Sequence, residues 1–332
     1  MKKLTRVLII LIIVISLLSL IGNAAAPNYH WKIQHIRPTG TAIDKDVNWL
    51  VDQLKERSNG RIIIDIFPAS LLGDYTVVQE RVGLGDVEMQ LACVGTGLDI
   101  GLMIQSLPYI VSNWEEARIL YATGSPLMDI VAELLKKQNL KLISGWPCYF
   151  GGICLTKEPP SPADPNVPKN IKIRVPPQKS FELNAESLGY LATPIAWSEA
   201  FTSLQTGIVD GAIGAGAEGY YANFRDLAKY YLALNDHFEM WYFYMNLDLW
   251  NSLSKEDQQL IQDVGSELEK KRFAIAEEEE QANMQRLRDY GVEVITFTDE
   301  ELARFAKKAR EYVWPRIRED IGPEIMDKVL GQ

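Results

Sequence analysis

The sequence predicts an α/β fold in two lobes. Strand-like and helix-like stretches alternate over residues 30–94. A loop with five prolines, KEPPSPADPNVPKN at 157–170, breaks the pattern, and the alternation restarts at 171. Long extended stretches at 141–156 and 230–247 stand at the junctions. The chain has 332 residues, 47% of them hydrophobic, enough to bury a large core in two domains.

The first residues set the expected compartment. MKKLTR is a basic start, VLIILIIVISLLSLI an apolar run of 15 residues, and GNAAAP supplies small residues for cleavage. This is the pattern of a secretory signal peptide, expected over 1–25. Pro27 disfavours cutting directly after Ala26, so the mature chain is expected to start at Ala25 or Ala26. A membrane anchor is the rival reading, but a spanning helix needs about 20 apolar residues. An exported, periplasmic protein is expected.

The formal net charge is −10. Removing Lys2, Lys3 and Arg6 makes the exported part −13. Such a chain attracts neither nucleic acid nor anionic lipid. The three cysteines, Cys93, Cys148 and Cys154, have no CxxC spacing, which argues against a zinc site or a disulfide framework. They read as small buried apolar residues, with a Cys148–Cys154 bridge as the alternative.

Element by element, 30–36 is a strand. Residues 43–60 form a helix with Val47, Leu50, Val51 and Leu54 on one face and Gly60 as its cap. Strand 61–68, helix 75–85 and strand 87–94 follow, and this order implies a parallel, doubly wound sheet. Two helices occupy 114–122 and 125–139. After the proline loop come strand 171–175, helix 179–188, a short extended stretch ATPIAW, helix 198–207 and strand 208–213. A long charged helix is expected over 254–290, with Ser254 as N-cap. Strand 291–297 and a last helix from 299 close the chain. The expected lobes are 26–152 plus about 240–280, and 153–239 plus about 281–332. Two such lobes on extended connections are the layout of a hinged protein that encloses a ligand.

Within IKIRVPP (171–177), apolar and charged residues alternate until Pro176 and Pro177 end the ladder. Arg174 therefore sits near the carboxyl end of a strand, where ligands bind in open α/β sheets.

These stretches together resemble the solute-binding proteins of TRAP (tripartite ATP-independent periplasmic) transporters. The matching stations are GRIIIDIFPASLLGD (60–74), GDVEMQ (85–90), IKIRVPP, LGYLATPIAWSEAFTSLQTGIVDG (188–211), MNLDLWNSLSKEDQQLI (245–261) and GVEV (291–294). They cover nearly all of the mature chain. The resemblance implies a periplasmic-binding-protein-like fold with hinge strands and a central ligand cleft. It also implies a TRAP membrane subunit as partner and Arg174 forked onto the carboxylate of an organic acid. A planar guanidinium suits that role, because it matches a carboxylate with two parallel hydrogen bonds. The competing reading of Arg174 is a structural ion pair. By resemblance, Trp197 packs a ring against the ligand; alternatively it is core. Glu199 complements its helix dipole.

The departures point to a different cargo. Many relatives follow VDG with Glu-Asn; here Gly214 takes the asparagine's place. Sialic-acid-binding relatives carry a second arginine about 20 residues earlier, where this chain has CYFGGICLT. With Tyr220, Tyr221 and Trp241 near, a monocarboxylate with a bulky, aromatic body is expected. Glu218 is a candidate for reading an amino group, or an exposed glutamate. On the first lobe, loop positions offer Arg37 and Thr39, Asp74 and Tyr75, and Cys93 to Thr96. Arg37 is either a second cation for a dicarboxylate or a surface residue.

Other classes fit less well. GAGAEG (214–219), with Asp236 beyond it, has the spacing of a dinucleotide fingerprint. The alternative is thus an exported nicotinamide-dependent oxidoreductase. There is no G-x-S-x-G or HExxH. His237 reads as ordering its loop near the hinge. EEEEQ (277–281) lacks an apolar seam and reads as a solvated helix face. No acidic cluster calls for a metal. The expectation is a monomeric binding protein without cofactor, not an enzyme.

Overall fold

A computed structural model describes residues 28–331. The expected signal segment lies outside the described residues. Among these, no helix is long and apolar enough to cross a membrane.

The chain opens with β1 (Tyr29–Gln34), α1 (Ala42–Arg57), β2 (Ile62–Phe67), α2 (Tyr75–Leu84) and β3 (Met89–Ala92). β1 pairs in parallel with both β2 and β3, as the alternation predicts. α1 buries Val47, Leu50, Val51 and Leu54 on its inner face. Next come a 3-10 helix (Ile100–Ser106), α3 (Trp114–Leu120), α4 (Pro126–Lys136) and β4 (Leu140–Phe150).

The chain then enters a second sheet with β5 (Gly152–Leu155), β6 (Lys172–Val175), α5 (Lys179–Ser187), β7 (Leu191–Pro194), α6 (Trp197–Gln205), β8 (Gly211–Ala215), α7 (Ala217–Phe224) and β9 (Tyr230–Leu232). It returns to the first sheet as β10 (Phe238–Asn246), followed by α8 (Leu247–Ser252) and α9 (Lys255–Tyr290). β11 (Glu293–Ile295), α10 (Asp299–Ile321) and α11 (Pro323–Leu330) complete the fold. The strand orders are β2-β1-β3-β10-β4 and β11-β9-β5-β8-β6-β7.

β10 lies antiparallel between β3 and β4, and all nine of its residues are buried. With both faces covered, FEMWYFYMN need not alternate. The strand expected over 208–213 runs instead over Gly211–Ala215. The 3-10 helix, α7, α8 and α11 were not expected. α7 hides in a glycine-rich stretch that favours a turn on propensity.

Two short junctions carry the chain between the sheets. At the first, Gly151 follows β4, and its N–H donates to the carbonyl of His237 at 2.8 Å. His237 belongs to the second junction, just ahead of β10. α9 is about 54 Å long at 1.5 Å per residue. Ser254 caps it, accepting from the Asp257 N–H at 3.1 Å. α9 packs on β4 and α1 of the first lobe and on α7 of the second.

The cysteines are free. Cys148 and Cys154 are buried, so no bridge forms between them. EEEEQ is only partly a solvated face, because Glu280 is buried. Its carboxylate accepts from Trp114 Nε1 at 2.9 Å and from the Phe150 N–H at 2.7 Å. The run shows no apolar seam because this one acid is buried against donors rather than against hydrocarbon. Burial pushes the Glu280 pKa up to about 7, against the pull of those two donors.

A stability difference follows. Between about pH 4.5 and 7 the unfolded chain ionises at this position while the folded carboxyl keeps its proton. Folding therefore weakens as pH rises through that window. Relative to Glu280→Gln, the wild type should lose roughly 3 kcal/mol between pH 5 and 8. Urea unfolding of both proteins across that range checks it; a flat difference refutes the assignment.

Candidate functional site

Arg174 stands on β6, between β8 and β7, one residue before the strand ends. It is 1% exposed. Its Nε donates to the Ile195 carbonyl at 2.8 Å and its Nη1 to the Ile213 carbonyl at 3.3 Å. Among the described residues, no carboxylate lies at ion-pair distance from it. Burial draws its pKa below the ordinary arginine value. The structural ion pair weighed for Arg174 is therefore not formed.

Arg37, which follows β1, is equally buried but is partnered. Its Nε lies 3.0 Å from Glu218 Oε2, and its Nη2 donates to the Tyr149 hydroxyl at 2.9 Å. Burial pulls its pKa down, but Tyr149 and Glu218 outweigh that, and the net shift is upward. The guanidinium lies between two indoles, 4.5 Å from the Trp197 ring and 4.8 Å from the Trp241 ring. Trp241 stacks on Trp146 at 5.4 Å, and Arg272 covers the Trp146 ring at 4.1 Å. Rings and guanidinium groups thus form a ladder from α6 of the second lobe, through Arg37, to α9. Arg37 Nη1 is buried with no hydrogen-bond partner in the structure.

Between the lobes lies a cavity of about 20 Å³. Arg174, Arg37, Trp197, Tyr75, Cys93 and Gly214 line it, and all six were expected at the site. Burial pushes the Cys93 pKa well up, so this residue is a thiol rather than a thiolate.

Three other candidates lie elsewhere. Glu218 is tied to Arg37 and lines a surface groove apart from the cavity. Tyr220 is buried with its hydroxyl 2.9 Å from both the Gly152 and the Ala212 carbonyls, so it joins β5 to β8. Thr39 lines a separate surface groove beside Lys45. The absent side chain at Gly214 leaves no extra room for a bulky ligand. Its φ is +90°, and a Cβ there would lie 2.5 Å from Pro176 Cγ. Only glycine suits both the backbone and that contact.

Gln178 and Glu239 line the cavity but escaped sequence reasoning. Gln178 bridges the lobes: its Oε1 accepts from Ser106 Oγ at 3.2 Å, and its Nε2 donates to the Val94 carbonyl at 3.4 Å. Ser198 likewise reaches Asp74 across the cleft at 3.3 Å. Glu239 is the lone acid in the buried run of β10, a signal available in the sequence. Its Oε1 accepts from Trp241 Nε1 at 2.6 Å, and its Oε2 lies 3.2 Å from His237 Nε2. Asp236 holds the other imidazole nitrogen at 3.0 Å. Burial depresses the His237 pKa, but the two acids more than reverse this and push it up to about 10. His237 is thus an imidazolium that fixes its loop.

The GAGAEG stretch is filled by the chain's own groups. A Cβ on Gly216 would lie 2.4 Å from the Tyr149 ring, and one on Gly219 would lie 2.6 Å from Arg37 Nη2. The glycines serve internal packing, and Asp236 is engaged with His237. Neither is placed for a dinucleotide.

Fold and site together define a class: a two-lobed solute-binding protein with its cavity between the lobes. The model of the family described as bacterial extracellular solute-binding protein, family 7, matches residues 33–319. The chain belongs to this family, the solute-binding proteins of TRAP transporters. It is 24% identical over 286 residues to a solute-binding protein of Chromohalobacter salexigens, covering 84% of this chain and 82% of that one. Among solved structures, it is similar to a sugar acid binding protein from Advenella mimigardefordensis in complex with galactonate. That match has a TM-score of 0.84 and 18% identity, and covers 92% of this chain and 98% of the other. A TRAP periplasmic solute binding protein from Desulfovibrio salexigens with bound orotic acid gives a TM-score of 0.82 at 21% identity, covering 91% and 96%.

Proposed function

We propose that this protein captures an organic acid in the periplasm by lobe closure and delivers it to a TRAP-type membrane transporter. The observation that carries this reading is Arg174: a buried guanidinium with two backbone acceptors, no carboxylate partner and a place on the cavity wall. A buried charge is costly unless paired, and a ligand carboxylate supplies the missing partner. Orotic acid and galactonate, bound by the two structural neighbours, are both carboxylic acids.

The lobes must part for the ligand to enter. Ligand sites usually measure about 300–1,000 Å³, against a cavity here of about 20 Å³. The two sheets are the bodies of that motion, meeting near residues 152 and 239. The protein acts as a receptor that holds its ligand without converting it.

The test is mass spectrometry of small molecules released on denaturing the purified protein, followed by calorimetry with each. An organic acid should be released and should rebind. Release and binding of uncharged solutes alone would overturn the reading.

A further inference from the structure

We propose that the ligand is a zwitterion: an acid carrying an ammonium group, held by its carboxylate on Arg174 and by its nitrogen on Glu239. This rests on the organic-acid reading above and narrows it.

The argument is a count of formal charges around one cavity. Arg37 is matched by Glu218 at 3.0 Å. Among the described residues Arg174 has no ion-pair partner; Asp74, bonded to Ser198, acts on it from beyond ion-pair distance. His237 is shared by two acids, Asp236 at 3.0 Å and Glu239 at 3.2 Å. One ring shared by two acids cannot match both of them in full. Asp236 is fully buried and also accepts from Asn184 Nδ2 at 3.0 Å, whereas Glu239 is the member on the cavity wall. On the cavity wall Arg174 thus has no ion-pair partner, and Glu239 has only one that it shares with Asp236.

Three kinds of acid answer this arrangement differently. A dicarboxylate satisfies Arg174 but brings its second charge into a closed space beside Glu239, where repulsion is poorly screened. A simple monocarboxylate satisfies Arg174 and leaves Glu239 with the Trp241 N–H and only a share of His237. A zwitterion satisfies both and adds no net charge to a buried site. Arg37 Nη1, buried and without an acceptor, offers a further donor to the same carboxylate. Glu218 does not compete for the nitrogen, because Arg37 already engages it.

Trp241 holds Glu239 in place. Its indole N–H donates to Oε1, and its ring is clamped between Arg37 and Trp146. Glu239 therefore meets its ligand as a preset acceptor. A site built to bond an N–H discriminates strongly against an analogue that lacks it.

Matched pairs provide the test. Full-length mature protein, stripped by unfolding and refolding, is titrated calorimetrically with proline and cyclopentanecarboxylate, phenylalanine and 3-phenylpropanoate, and aspartate and succinate. Mass spectrometry of the molecule released on purification is read for nitrogen. In a pair that binds, the nitrogen-bearing member should bind at least about tenfold tighter. Where no pair binds, the released acid should carry a basic amine. Glu239→Gln should bring the members of a binding pair within about threefold of each other. Should that variant fail to melt as a folded protein, Glu239→Asp and the wild-type pairs decide.

Equal or tighter binding of the nitrogen-free acid, or a released acid without a basic amine, overturns the zwitterion proposal. The organic-acid reading then stands if Arg174→Ala abolishes that binding. If no acid is released or bound at all, both readings fall.

Discussion

Arg174→Ala should bind the organic acid at least about 30-fold more weakly than the wild type, a loss of 2–5 kcal/mol. The same variant should melt close to the wild type. Breaking a buried ion pair typically destabilises by about 3–5 kcal/mol, because one charge is left behind. Arg174 leaves no charge behind: among the described residues its hydrogen-bond partners are the Ile195 and Ile213 carbonyls, which are neutral. Removing an unpaired buried cation even relieves a strain of desolvation. This split is the signature of a ligand-binding arginine as opposed to a structural one. Arg174→Lys should recover only part of the affinity, since an ammonium cannot fork onto a carboxylate. Calorimetry and thermal melts on the same preparations check both halves. Binding by Arg174→Ala within a few-fold of wild type refutes the site.

Gly151→Ala should destabilise the fold strongly at the hinge. The new Cβ would sit 2.0 Å from His237 Cε1 and 2.3 Å from its Nδ1. A flexible side chain would swing aside; this ring does not. Asp236 bonds its Nδ1, Glu239 lies 3.2 Å from its Nε2, and Phe181 packs edge-on against it at 4.9 Å. The backbone is fixed too, by the Gly151 N–H bond to the His237 carbonyl. Over-packing in a yielding core costs about 1–3 kcal/mol. Here the loss should exceed 3 kcal/mol, lowering the melting midpoint by roughly 6 °C or more. A midpoint within 2 °C of wild type would show that the junction is softer than its contacts imply.

Much of this was legible in the sequence, for physical reasons. Periodicity gave the parallel β1-β2-β3 unit and the inner face of α1, because burying one face enforces a repeat. The alternation ending at Pro176 placed Arg174 at a strand end, and the cavity is there. What escaped were contacts between residues far apart in sequence. Nothing local shows that Glu218 meets Arg37, 181 positions away, or that Tyr220 reaches back to Gly152. Gly214 read as a missing ligand contact, yet its emptiness is filled by Pro176. Glu239 was visible as a single acid in an apolar run. Its meaning depends on His237, which was read correctly as ordering its loop but without its two acids. Glu280 escaped for the opposite reason. It stands among other glutamates, and only the packing of α9 distinguishes it from them.

The bond between Gly151 and His237 also bears on how the molecule moves. Two separate crossings of the chain are laced together at the seam, and α9 leans on both halves nearby. A lone tether would let one half swivel and wobble like a ball in a socket. Two tethers fastened side by side act as the leaves of a door hinge, free to fold along one line and stiff against torsion. Under the proposed closure, each opening would bring the same edges back into register, so that Gln178 would find Ser106 and Arg37 would find Glu218 on every stroke without a search.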